Sequence, residues 1–84
     1  MAVQPVVASA APQLSIQSED KAHPRLVKAI HDMEATEKLL RSAPTDFGGR
    51  KDKAADDVHA AILSVKRALY YRLNLDNEAL EKAQ

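Results

Sequence analysis

Residues 24–43 read PRLVKAIHDMEATEKLLRSA, and their large side chains recur at the spacing of a single helix face. The recurring positions, at alternating steps of four and three, are Leu26, Ile30, Met33, Glu37 and Leu40. This period fits the turn of about 100° per residue in an α-helix. Pro24 suits the first turn of a helix, and Pro44 is a natural stop. The stretch therefore predicts a helix over residues 24–43.

A second helical stretch follows a short connection made of turn-forming residues. The turn is assigned to Asp46, Phe47, Gly48 and Gly49. Asp46 or Thr45 can accept hydrogen bonds from the free N–H groups at the start of the next helix, and we expect Phe47 to turn inward. Beyond the turn, helical spacing recurs at Val58, Ile62, Val65 and Leu69. This pattern predicts a helix over about residues 48–75. Since the connection is short, we expect an all-α antiparallel hairpin spanning residues 23–76.

The segments on either side of this hairpin carry weaker helical signals. Residues 1–22 are rich in small and polar residues, and we expect a flexible N-terminal arm. Within it, Ala8-Ser9-Ala10 resembles a signal-peptidase site, so the arm is either the remnant of a trimmed export signal or a linker. Residues 77–84 follow several weak helix formers, and we expect a frayed C-terminal tail.

Composition excludes several classes of function. The 84 residues hold 12 basic and 12 acidic side chains and no cysteine. Thiol chemistry, disulfides and cysteine-ligated zinc are therefore excluded, and zero net charge gives no general attraction to nucleic acid. The serines lack the context of an activated nucleophile, and a hairpin offers little concave surface for a substrate. We predict a non-enzymatic protein without cofactors, without nucleic-acid binding and without a membrane span.

Several apolar side chains fall outside the seam between the two predicted helices. On a helical wheel these are Val27, Leu39, Leu63 and Tyr70. Burying one such side chain stabilises by about 1.5–3 kcal/mol, so association would add stability that a small core lacks. We expect a homodimer that forms a four-helix bundle, with these residues at the interface. Two alternatives stay open, namely scattered surface residues or a docking face for a different protein.

Histidine and carboxylate pairs suggest one further function. The pairs His31/Glu34 and Asp56/His59 have the i, i+3 spacing found in metal-binding helical bundles, so a divalent-metal site is the alternative function. Solvated helix flanks explain the same residues without a metal. Glu37 interrupts the apolar stripe, and the hairpin register brings it close to His59. We therefore expect either an exposed Glu37 carboxylate or a Glu37–His59 contact.

A set of short motifs resembles a group of small bacterial proteins. They are His23-Pro24-x-Leu26, Ala29-Ile30, Leu40, Ala43, Asp46-Phe47-Gly48-Gly49, Ala61-Ile62 and Ala68-Leu69-x-Tyr71. Together they are similar to small exported helical proteins of unknown function that carry an HPxI…DFGGH[RK] pattern. This chain departs from that pattern with Arg50 in place of the histidine and Thr36 in place of an alanine. The resemblance implies a helical hairpin and a periplasmic or secreted location, with a cytoplasmic one as the alternative, and it implies no activity.

Overall fold

The computed structural model describes residues 14–83, and most of these residues are helical. Four α-helices follow one another: α1 (Ile16–Ala22), α2 (Pro24–Ser42), α3 (Arg50–Leu69) and α4 (Asn77–Lys82). Short 3₁₀ turns at Phe47–Gly49 and Tyr71–Leu73 lie before and after α3. The described residues include no β-strand, so the all-α prediction is confirmed.

The two long helices pack lengthwise against each other, and the periodic stripes supply most of this contact. Ile30 from α2 and Ile62 and Leu69 from α3 are buried. Partly buried Leu26, Met33, Val58 and Val65 pack around them. α2 begins at Pro24 as expected and ends at Ser42, one residue before the predicted boundary. α3 begins at Arg50, directly after the glycine pair.

The N-terminal expectation is corrected by α1. We expected residues 1–22 to form a flexible arm, but residues 16–22 form a helix. Its start is a reciprocal cap in which the Ser15 hydroxyl accepts from the Ser18 N–H and the Ser18 hydroxyl accepts from the Ser15 N–H, both at 3.0 Å. Such a cap satisfies backbone donors that a helix end otherwise leaves exposed. The proposed export motif at residues 8–10 lies outside the described residues.

The C-terminal expectation is also corrected. α3 ends at Leu69 and not near residue 75, and Asn74 takes a left-handed conformation with φ 53°. Asparagine tolerates this conformation better than most residues, which allows the chain to reverse. Asp76 then caps α4 by accepting from the Ala79 N–H at 2.9 Å. Residues 77–82 thus form a helix where we predicted a frayed tail, and its Leu80 is buried.

The short helices extend the core beyond the two-helix seam. α1 packs against α2, and α4 packs against α3. The buried cluster contains Ile30, Ile62, Leu69, Tyr70, Leu80 and Ala83. Partly buried Ile16 from α1 and Leu75 from the segment before α4 join its edge. A chain of this size thereby gains apolar burial from both terminal segments, which a bare hairpin would lack.

The turn between α2 and α3 takes a different path from the one we expected. The Asp46 carboxylate accepts from the Gly48 N–H at 3.0 Å and so caps the 3₁₀ turn, whereas α3 itself follows Gly49 without a side-chain cap. Phe47, Gly48 and Gly49 all have positive φ, at 52°, 67° and 83°. This left-handed path directs Phe47 outward and leaves it 64% exposed. The prediction that Phe47 turns inward is therefore wrong.

Among residues 14–83, no helix combines the length and the apolar character that crossing a bilayer requires.

Candidate functional site

The residues predicted as metal ligands are distributed over separate contacts. The Asp56 carboxylate accepts from Arg41 at 3.1 Å, and the Glu34 carboxylate lies 3.9 Å from the Lys66 Nζ. His59 bonds other carboxylates, and His31 is exposed on α2. Within residues 14–83, no group of three or more candidate ligands is arranged to hold a metal ion. The structure therefore does not bring His31, Glu34, Asp56 and His59 together.

One polar cluster does join three helices, and its centre is His59 on α3. Its Nδ1 lies 3.1 Å from a Glu37 oxygen on α2, so the contact expected from the register is present. Its Nε2 lies 2.9 and 3.0 Å from the two oxygens of Glu81 on α4. The carboxylates thus occupy opposite sides of the ring, which prevents them from sharing one metal ion with it.

Protonation of His59 is favoured by this arrangement. An imidazole with two N–H groups donates to both carboxylates, whereas the neutral ring has a single N–H. The hydrogen bond to Glu81, followed by the one to Glu37, raises the pKa of His59 above its ordinary value. Conversely, hydrogen bonds from His59 and then Arg41 lower the pKa of Glu37 despite its partial burial. The cluster is an ion-paired network that spans α2, α3 and α4.

Glu37 is fixed by a second partner that Glu81 lacks. Arg41 Nε donates to the Glu37 carboxylate at 2.8 Å within α2, and its guanidinium also reaches Asp56 on α3. Among the described residues, the Glu81 carboxylate is bonded by the His59 ring alone. The two sides of the imidazole are therefore unequal, with the stronger anchoring on α2.

A buried lysine lies near the same junction. Lys66 is buried on α3, and its Nζ donates to the Glu81 backbone carbonyl at the long distance of 3.4 Å. The Glu34 carboxylate is 3.9 Å away, at the outer limit of an ion pair. Burying a charged amine is costly unless it is well paired. Covering Lys66 with α4 therefore works against the docking of that helix.

A second cluster attaches α1 to the end of α3. Glu19 is only 2% exposed, and its carboxylate accepts from Arg72 at 2.7 Å. The His23 ring lies 3.6 Å from the same carboxylate. The Tyr70 hydroxyl donates to Asp20 at 2.6 Å. The contacts of Glu19 with Arg72 and of Asp20 with Tyr70 join residues about fifty positions apart in sequence, and they hold α1 against the core.

The predicted interface residues have different environments. Tyr70 is 1% exposed and belongs to the buried cluster, while Val27 and Leu63 are half-buried and pack against it. The assignment of Tyr70 to an exposed flank is therefore wrong, whereas Val27 and Leu63 keep part of their surface exposed. Leu39 alone among the four stays open, at 71% exposure.

Two open depressions lie on the surface of the described residues. The larger depression, of about 810 Å³, is lined by residues of α2 alone. Those residues are Glu34, Glu37, Lys38, Arg41 and Ser42. A smaller one, of about 180 Å³, lies beside Tyr70, Asn74 and Leu80. The first is an open face of one helix, which does not surround a small molecule as ligand sites do.

Sequence reasoning missed Glu19 and Glu81, although signals for their helices were present. Ser15 and Ser18 have the spacing of a reciprocal cap, and Asp76 precedes an apolar repeat as an N-cap residue does. If Ser15 and Asp76 are taken as N-cap residues, the sequence predicts the starts of α1 and α4. Their carboxylate partners could not have been identified, since that requires the docking geometry.

Comparisons with protein-family models, with curated proteins and with solved structures give no significant match to this sequence.

Proposed function

We propose that this chain is a non-enzymatic helical interaction module that associates with a second copy of itself through its turn end. The observation that carries this proposal is the exposed Phe47, the only phenylalanine of the sequence. A bulky residue with φ 52° is uncommon, because the left-handed region costs an L-residue roughly 1–2 kcal/mol. Backbone strain at a residue whose large apolar ring is exposed to solvent supports a contact surface at that residue.

An antiparallel hairpin of α2 and α3 is the framework of this proposal. Its support is the order of the cross-helix contacts. Arg41 contacts Asp56 and Glu37 contacts His59, so residue numbers rise along α3 as they fall along α2. The Lys51 Nζ also donates to the Ala43 carbonyl at 2.9 Å, which ties the start of α3 to the end of α2. In this framework Leu39 and Phe47 belong to the same end of the molecule.

We place the dimer contact at this end and not along the flank of a four-helix bundle. Val27, Leu63 and Tyr70, which a bundle would use, already pack within the chain. Leu39 and Phe47 are the large apolar side chains left open near the turn. A two-fold arrangement would bring together both residues from each copy.

The size of this patch predicts weak association. Complete burial of a Leu or Phe side chain gives about 1.5–3 kcal/mol, and each of these is already about one-third covered. Four side chains then contribute roughly 4–8 kcal/mol. Association itself costs about 4–15 kcal/mol in lost freedom, so little surplus remains. We expect self-association that becomes visible only at high protein concentration.

A periplasmic or secreted location is part of the proposal, on the sequence pattern of the N-terminal segment alone. Ala8-Ser9-Ala10 and the resemblance to small exported bacterial proteins support it. Fractionation of a bacterial host that expresses the tagged chain would test this point separately from association, and we expect the chain in the periplasmic fraction.

Sedimentation analysis over a wide concentration range tests the association. We expect a monomer–dimer equilibrium for the native sequence and a monomer at all concentrations for Leu39→Ser/Phe47→Ser. Tyr71→Ser is the matched control, because it removes a large side chain that is 77% exposed near the other end of the hairpin. A native chain that stays monomeric, or a dimer that survives the double substitution, would refute the proposal.

A further inference from the structure

Three helices converge on one imidazole, and both ring nitrogens face carboxylates, an arrangement that favours two protons on the ring. His59 Nδ1 faces a Glu37 oxygen at 3.1 Å, and His59 Nε2 faces the Glu81 carboxylate at 2.9 Å. A carboxylate accepts hydrogen bonds and donates none when ionised. If His59 loses one proton, one ring nitrogen presents a lone pair to a carboxylate oxygen. One of the two contacts must then break.

Loss of the proton weakens the hold on Glu81. The Glu37 carboxylate keeps a second donor, Arg41 Nε at 2.8 Å, whereas among the described residues the Glu81 carboxylate has the His59 ring alone. A neutral ring offers Glu81 no charge to pair with, and its single N–H cannot serve both carboxylates. Glu81 belongs to α4, a helix of six residues, which is far too short to be stable when detached.

The other groups around His59 do not replace the lost contact. From α2 it faces Glu37 and, behind it, Arg41; from α4 it faces Glu81. On α3 itself, Asp56 is paired with Arg41. Two other polar contacts to α4 do not involve His59. Arg67 on α3 donates to the Asn77 side chain at the start of α4. Buried Lys66 donates to the Glu81 carbonyl at 3.4 Å, and its amine gains solvent when the part of α4 around Glu81 leaves.

We propose that His59 is a proton-operated latch that holds α4 against α2 and α3 when the ring is doubly protonated and releases it when the ring is neutral. Release withdraws Leu80 and Ala83 from the buried cluster and uncovers the apolar surface around Leu69 and Tyr70. The chain thereby gains a second apolar surface whose exposure depends on pH. This device does not depend on self-association at the turn end.

The direction of the pH dependence follows from the contacts. Hydrogen bonds to Glu81 and Glu37 raise the pKa of His59 above its ordinary value of 6.5. The stabilisation of α4 is therefore complete below that ordinary value and is lost as the pH rises through the higher value in the folded chain. α4 is docked in mildly acidic solution and is released on the alkaline side.

Amide hydrogen exchange of the full chain, followed by NMR between about pH 5.5 and 9, tests the latch. The reporters are the Leu80 and Ala83 amides, which donate to Asp76 and Ala79 within α4, with the Ile62 amide as the core reference. As the pH rises, the protection factors of the Leu80 and Ala83 amides should fall about tenfold or more, which is the factor that the loss of one charge-assisted hydrogen bond represents. The midpoint should coincide with the titration of the His59 ring, while Ile62 stays protected.

Two variants locate the effect. Glu81→Gln should keep α4 protected across the whole range, because an amide can donate to the lone pair of a neutral imidazole. Glu78→Gln is the matched control, since Glu78 lies on α4, is exposed and pairs with Lys82. It should behave as the native chain does. The titration of the native chain is decisive by itself, because α4 amides that stay equally protected while His59 titrates would overturn the proposal. A loss of α4 protection in Glu81→Gln as large as that in the native chain would also overturn it.

Discussion

Replacing Tyr70 by Phe removes one oxygen atom from the chain and tests how α1 is attached. In the structure that hydroxyl donates to Asp20 at 2.6 Å, and the ring is 1% exposed. A hydrogen bond to a charged group contributes about 1.5–3 kcal/mol to the free energy of unfolding. Because Asp20 is partly exposed, we expect a loss at the lower end of this range, about 1.5 kcal/mol. For a domain of this size, that loss corresponds to a fall of about 6–12 °C in Tm.

The assay is thermal and urea unfolding followed by circular dichroism, with the adjacent tyrosine as the control. Tyr71→Phe removes the same atom from a ring that is 77% exposed, and we expect a change within about 0.5 kcal/mol. Adding Asp20→Asn to each variant completes a double-mutant cycle, which isolates the Tyr70–Asp20 pair from the other contacts of both residues. Equal stability losses for Tyr70→Phe and Tyr71→Phe would refute the docking of α1 described above.

Three further outcomes follow from the same structure. Ile30→Ala should lower the free energy of unfolding by about 3 kcal/mol, because a fully buried side chain leaves a cavity, whereas Leu39→Ala should change it by less than about 0.5 kcal/mol in the same urea titration. Phe47→Gly should raise the stability by about 0.5 kcal/mol, since glycine adopts a φ of 52° without strain; a loss of stability in urea unfolding would contradict this. The NMR titration of His59 should give a pKa above 6.5 that falls in Glu37→Gln, and an unchanged pKa in that variant would contradict the ion-paired cluster.

The central part of the fold could be predicted from sequence because its signals are periodic. The stripes that contain Ile30 and Ile62 specify which faces of α2 and α3 meet, and a short turn between them fixes the register. That register made the Glu37–His59 contact one of the two expectations for Glu37, and the structure contains it. Packing of a regular helix follows from spacing alone, so these features needed no information from distant parts of the chain.

The errors arose where the backbone leaves regular geometry. The helical wheel assigned Tyr70 to an exposed flank by assuming that α3 continues through it, yet the helix ends at Leu69 and Tyr70 has φ −103° and ψ 24°. Phe47 was expected to turn inward, but a left-handed backbone reverses its direction. Neither conformation is encoded by apolar spacing, and both depend on how the neighbouring segments pack.

The polar sites could be predicted only in part for a related reason. Glu19 is buried against Arg72, and Glu81 meets His59, but each pair joins segments that are far apart in sequence. A charged residue in a short polar segment is usually solvated, so its burial becomes visible only when the tertiary partner is known. The sequence therefore indicated that α2 and α3 form a unit, and the docking of α1 and α4 required the structure.

The measurement that most directly tests the proposed interaction surface is an isotope-filtered NOE experiment on a mixture of labelled and unlabelled chains at high concentration. We predict intermolecular NOEs between the Phe47 ring of one copy and the Leu39 or Phe47 side chain of another. Intermolecular NOEs that instead involve residues away from the turn, or a concentrated sample in which the Phe47 ring shows none, would contradict the account.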